Sequence, residues 1–139
     1  MSNIVYADYN ATAPLRGEAR TAMLDAMEVL GNPSSVHGPG RASRALIETA
    51  RREVAALVNA APQSVIFTSG GTEASALALK GCGRPRIITS VIEHEAVLEA
   101  VPEAPRLPVN AEGVLDLDML QAELSDGGGD CLISMQWAN

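Results

Sequence analysis

Along the first third of the chain the apolar positions Ala19, Met23, Ala26, Met27 and Leu30 recur at helical spacing. With Pro14 before them and Gly31 after, they predict a helix over residues 17–30. Residues 31–40, GNPSSVHGPG, are dense in Gly, Pro and Ser and predict a loop. A second stripe, Leu46, Ile47, Ala50, Val54, Leu57 and Val58, lies opposite Arg44, Glu48, Arg51 and Arg52. That stripe predicts a helix over residues 42–59. Beyond it, short apolar runs alternate with helical patterns. Residues 64–68, 86–91 and 131–137 predict strands, and 106–109 a weak edge strand. Residues 72–80, 95–101 and 117–124 predict helices, the last capped by Asp116. Strands apolar on both faces and separated by helices imply a mostly parallel sheet covered on both sides, a three-layer α/β fold. The strand over 131–137 is followed by no covering helix, so the chain is expected to be interrupted there rather than finished.

Composition narrows the chemistry. The chain has 139 residues, enough for one domain with a core. Its formal net charge of −7 argues against a nucleic-acid partner or an anionic membrane surface, both of which need clustered positive charge. The start, MSNIVYADYN, has no basic segment leading into an apolar one and predicts no signal peptide. The uncharged stretch over 54–72 is broken by Asn59, Pro62, Gln63 and Ser64, so no membrane span is expected. Cys82 and Cys131 show no C-x-x-C spacing, which predicts neither a disulfide framework nor a metal site and fits a reducing cytoplasmic compartment. Lys80 is the single lysine beside nine arginines.

The motif with most chemical content is Thr68-Ser69-Gly70-Gly71-Thr72-Glu73, set between a predicted strand and a predicted helix. Glycines let a ligand approach the backbone, and the helix start offers unpaired N–H groups and the positive end of a dipole. The Thr72 hydroxyl is a further donor. Together these suit a phosphate dianion, while the absence of a G-K-[ST] ending disfavours a nucleoside triphosphate. Read alone, the same turn also fits a plain strand-to-helix connection with Thr72 as cap. His94 lies just past a predicted strand's carboxyl end, where open α/β sheets place their sites. It is equally suited to capping the helix that follows.

Five segments in order carry a resemblance over nearly the whole chain: YADYNATAPL, GNPSSVHGPGRASR, FTSGGTEASALALKG, ITSVIEHEAVLEA and SMQWAN. They resemble the ordered motifs of cysteine desulfurases, pyridoxal-phosphate enzymes of the aspartate-aminotransferase-like class. Ala13, Ser75 and Ala76 depart from that family's usual residues. The resemblance implies residues 1–40 as an N-terminal segment, and 41–139 as part of the cofactor-binding large domain. It implies Gly71 and Thr72 as ligands of the pyridoxal 5'-phosphate phosphate, and His94 as the catalytic residue against the pyridine ring. His37 is expected to serve the turn chemistry of its loop. Asp8, Asn10 and Thr12 belong to the opening motif and receive no chemical role, and Asn139 matches the first of a paired Asn.

The resemblance further implies a homodimer acting on L-cysteine. Sulfur would pass to an enzyme cysteine, leaving alanine, and on to an acceptor scaffold for iron–sulfur clusters or thiolation. In the family the Schiff-base lysine, the aspartate at the pyridine nitrogen, the carboxylate-binding arginine and the persulfide cysteine lie downstream of the matched motifs. Lys80, two helical turns from the loop, does not match that lysine. Nor do Cys82 and Cys131 match that cysteine. The 139 residues are therefore expected to be inactive alone. Two other readings fit the same residues: a related lyase such as selenocysteine lyase, and a non-catalytic module binding a phosphorylated ligand at Gly70–Thr72.

Overall fold

The computed structural model of the chain describes residues 5–126 and 129–137. Two compact units divide it, Met1–Phe67 and Thr68–Asn139.

The first unit holds α1 (Gly17–Met27) and α2 (Gly38–Leu57). α1 stops three residues short of the predicted end, where Glu28 takes the C-cap and the Val29 N–H turns back to the Ala26 carbonyl at 3.2 Å. α2 starts earlier than its apolar stripe predicts, so the last three residues of the expected loop form the helix's first turn. The cause is local. His37 caps the helix, its Nδ1 accepting the Gly40 N–H at 3.3 Å. Pro39 lacks an N–H only where the helix has no use for one. A Cβ on Gly40 would stand 2.4 Å from the Ser35 carbonyl oxygen, so only glycine lets the loop close onto the helix. Ser43 completes the closure by donating to the Gly31 carbonyl at 2.9 Å.

α2 ends near Asn59, as predicted. Asn59 adopts a left-handed φ of 52°. The Ala60 N–H reaches back to the Ala55 carbonyl at 2.8 Å and the Asn59 N–H to Ala56 at 3.3 Å. This six-to-one and five-to-two pairing satisfies carbonyls that the helix end leaves open.

The strand expected over 64–68 does not form. A 3-10 turn, Pro62–Ser64, is followed by backbone that pairs with no strand among the described residues. The segment is held instead by Arg51 of α2. Its guanidinium donates to the Val65 carbonyl and stacks over the Phe67 ring at 5.1 Å. An apolar run such as SVIFT has strand character only where a neighbour accepts its ladder.

The second unit runs α3 (Gly71–Gly81), β1 (Arg86–Ser90), α4 (Glu95–Leu98), β2 (Arg106–Leu107), α5 (Leu117–Asp126) and β3 (Cys131–Ser134). The three strands form one parallel sheet in the order β2-β1-β3. Helices between parallel strands make this an α/β fold, as the pattern predicts. β1 pairs Arg86 through Thr89 with Cys131 through Ser134, and Ile88 at its centre is fully buried. Leu79 of α3, Val97 of α4 and Leu107 of β2 complete the unit's buried apolar core. Arg86 ties α5 to the sheet, donating to the Glu123 carbonyl at 2.7 Å and pairing with its carboxylate. Asp116 caps α5 as expected, its carboxylate accepting from Asp118 and Met119 at 3.1 and 3.0 Å.

α4, β2 and β3 are each shorter than the apolar runs that predict them, because chain beyond the last ladder partner or helical turn leaves the regular geometry. Gly127, Gly128 and Asn139 lie outside the described residues. Among the described residues no helix is long and apolar enough to cross a membrane.

Candidate functional site

The start of α3 is built from residues with no bulk. Gly70 is extended (φ 168°), and Gly71 opens the helix with no side chain capping it. Thr72 is therefore the second helical residue rather than the cap that the turn suggested. The first helical bond runs from the Ala74 N–H to the Gly70 carbonyl at 3.0 Å. The helix itself therefore supplies no acceptor for the N–H groups of Gly71, Thr72 and Glu73. A Cβ added at Gly70 or Gly71 would meet nothing within 4 Å, so the space beside these two glycines is open.

Glu73 shapes the turn. Its carboxylate takes the Ser69 hydroxyl at 2.6 Å and the Ser69 N–H at 2.7 Å. The Ser69 hydroxyl first, and its N–H second, hold the Glu73 carboxyl below the ordinary glutamate range against a small opposing effect of burial. Both Ser69 donors are thus spent inside the turn. What remains toward the open side is the backbone of the first helical turn, with the Thr72 side chain beside it. That donor set, at the positive end of a helix, fits a phosphate.

His94 follows β1. Its backbone is extended, and its Nδ1 accepts the Ala96 N–H at 3.0 Å, capping α4. A neutral imidazole accepting at Nδ1 carries its proton on Nε2, and the residue as a whole is exposed. The capping role suggested by its position is therefore real, and it leaves Nε2 available.

The topology relates these two elements. Four residues connect α3 to β1. An 11-residue helix and a five-residue strand each span about 16 Å. α4 follows β1, and α3 and α4 pack against each other.

Other candidates fall elsewhere. Lys80 is in the last turn of α3, about 12 Å along the axis from Thr72. Cys82 is folded into the turn after α3, its Sγ donating to the Leu79 carbonyl at 3.1 Å. Cys131 opens β3 and pairs with Arg86 at the amino end of the sheet, the end away from His94. His37 caps α2, the structural role expected of it. Asp8 holds its own turn, accepting the Ala11 N–H at 3.3 Å, while Asn10 and Thr12 are exposed.

One residue escaped the sequence reading. Glu93 is only 8% exposed, and its carboxylate accepts the Gln136 N–H at 2.6 Å and the Ser90 hydroxyl at 3.3 Å. Gln136 returns its side-chain amide to the Ile92 carbonyl. The available signal was Gln136 itself, a polar residue inside an otherwise apolar run.

The aminotransferase class-V family matches residues 5–139. The chain is 42% identical to the cysteine desulfurase IscS of Dictyoglomus turgidum, over all of this chain and 38% of that protein. It is 41% identical to a cysteine desulfurase of Cereibacter sphaeroides, over 97% of this chain and 38% of that one. A NifS-like protein of known structure from Rickettsia africae superimposes with a TM-score of 0.81 at 32% identity, covering 95% of this chain and 39% of that one. The chain thus spans less than half the length of these relatives, and the similarity is that of an N-terminal portion of a cysteine desulfurase.

Proposed function

The chain belongs to the aminotransferase class-V family, and on that premise we propose that it forms the phosphate-binding and ring-facing part of a cysteine desulfurase site. Gly71 and Thr72 hold the phosphate of pyridoxal 5'-phosphate through backbone N–H groups and the Thr72 hydroxyl. His94 faces the pyridine ring and holds a proton at Nε2. The cofactor supplies an electron sink for the substrate's amino acid carbons. The observation that carries the reading is the uncapped start of α3, beside two glycines where an added Cβ would meet nothing within 4 Å.

The whole protein, in this reading, takes L-cysteine, keeps its sulfur as a persulfide on an enzyme cysteine, and releases L-alanine. The cofactor lysine and that cysteine come from outside these 139 residues. Lys80 at the far end of α3, and two cysteines toward the amino end of the sheet, support this. A homodimer, a sulfur-acceptor scaffold protein and use in iron–sulfur assembly or thiolation belong to the same proposal. So does a cytoplasmic location, which the two free cysteines favour.

The test is a 31P titration of pyridoxal 5'-phosphate with the chain. Saturable, reversible binding is expected, weakened roughly tenfold in Thr72→Val, the loss typical of a hydrogen bond to a charged group. Equal binding by the two proteins would remove Thr72 from the site, and no binding to either would remove the phosphate seat.

A further inference from the structure

We propose that Glu93 is a positioning residue for His94, acting through a clamp with Gln136; the inference rests on the reading of His94 given above. The backbone ladder between β1 and β3 ends at Thr89 and Ser134. Beyond it the two chains are free to diverge, and it is there that the loop carrying His94 leaves the sheet. Gln136 bridges the gap with two donors, its N–H to the Glu93 carboxylate and its side-chain amide to the Ile92 carbonyl. Ser90, the last residue of β1, adds its hydroxyl to the same carboxylate.

Glu93 is buried and His94 exposed. Holding the Glu93 side chain holds the peptide that it shares with His94. His94 in turn holds α4 through two kinds of acceptor. Its Nδ1 takes the Ala96 N–H, and its carbonyl takes the N–H groups of Val97 and Leu98 at 2.8 and 3.2 Å. The residue that precedes the imidazole is thus held by Gln136, just past the end of β3 and 43 residues from Glu93 in sequence. A carboxylate buried so deeply needs its partners, because leaving it without them carries the full desolvation penalty.

Hydrogen exchange of the unliganded chain, read on the peptides around 92–98 and 131–137, tests the clamp. Glu93→Ala is expected to speed exchange roughly tenfold at Gln136 and also at Ala96, with Glu93→Gln restoring both because its carbonyl still accepts. A purely local anchor would free Gln136 and leave Ala96 unchanged, which would overturn the proposal. Should Glu93→Ala unfold the chain, Gln136→Ala decides. It removes only the side-chain amide, and unchanged exchange at 92–98 would equally overturn the clamp. Phosphate binding is read separately from the 31P titration. Its failure beside an intact exchange result removes the cofactor reading alone, and the opposite pattern removes the clamp alone.

Discussion

Replacing Gly71 by Ala should separate folding from binding. Gly71 has no left-handed φ, and an added Cβ meets nothing within 4 Å, so Ala suits its first helical position. Reducing the freedom of the unfolded chain at such a site stabilises by about 0.4–1 kcal/mol. The same methyl occupies the space assigned to the phosphate. The expected outcome is a raised unfolding temperature with weakened pyridoxal 5'-phosphate binding; gains or losses in both together would contradict the placement. Glu73 gives a second residue-scale test. Its folded carboxyl titrates below the ordinary glutamate value, so the turn over 69–73 gains stability that is present above the unfolded value and lost as pH falls through the folded one. An NMR titration should show a low midpoint for Glu73, raised by Ser69→Ala only part of the way, because the backbone N–H of residue 69 still donates. At this scale the sequence singles out the glycines and His94 as candidates but not Glu93. The burial of Glu93 depends on Gln136, and no local pattern reports a partner so far along the chain.

The helices were legible because their ends are decided locally. Asp116 reads as a cap and behaves as one, through bonds to residues two and three positions on. Asn59 marks the end of α2 by taking the left-handed conformation that Asn and Gly tolerate. Asn59→Ala is expected to destabilise the chain by about 1 kcal/mol and Asn59→Gly to cost nothing, as read by urea unfolding. Equal effects of the two would remove the backbone conformation as the cause. The run over 64–68 was misread for the opposite reason. Its apolar residues have strand character, but a strand is a relation between two chains, and Arg51 rather than a ladder holds this one. The early start of α2 was hidden by its glycines, which read as loop until the close approach of Ser35 to Gly40 explains them.

Across the molecule, large apolar side chains stay exposed. Leu30 and Leu57 are each 86% exposed and Trp137 fully so, with Met27, Ile66 and Phe67 also open to solvent. Surfaces of this kind favour association. The chain is expected to self-associate with rising concentration, seen by sedimentation and by a blue shift of Trp137 emission as it leaves water. A monomer with water-like Trp137 emission at all concentrations would contradict this. The position of Lys80 predicts that borohydride treatment with pyridoxal 5'-phosphate leaves no adduct specific to that lysine. The most direct test of the central claim compares hydrogen exchange with pyridoxal 5'-phosphate against pyridoxal, which lacks the phosphate. The account predicts that the phosphorylated compound protects residues 69–75 and 92–98, and that pyridoxal leaves 69–75 unprotected. Equal protection by both, or protection confined to other segments, would show that the start of α3 is not the phosphate seat.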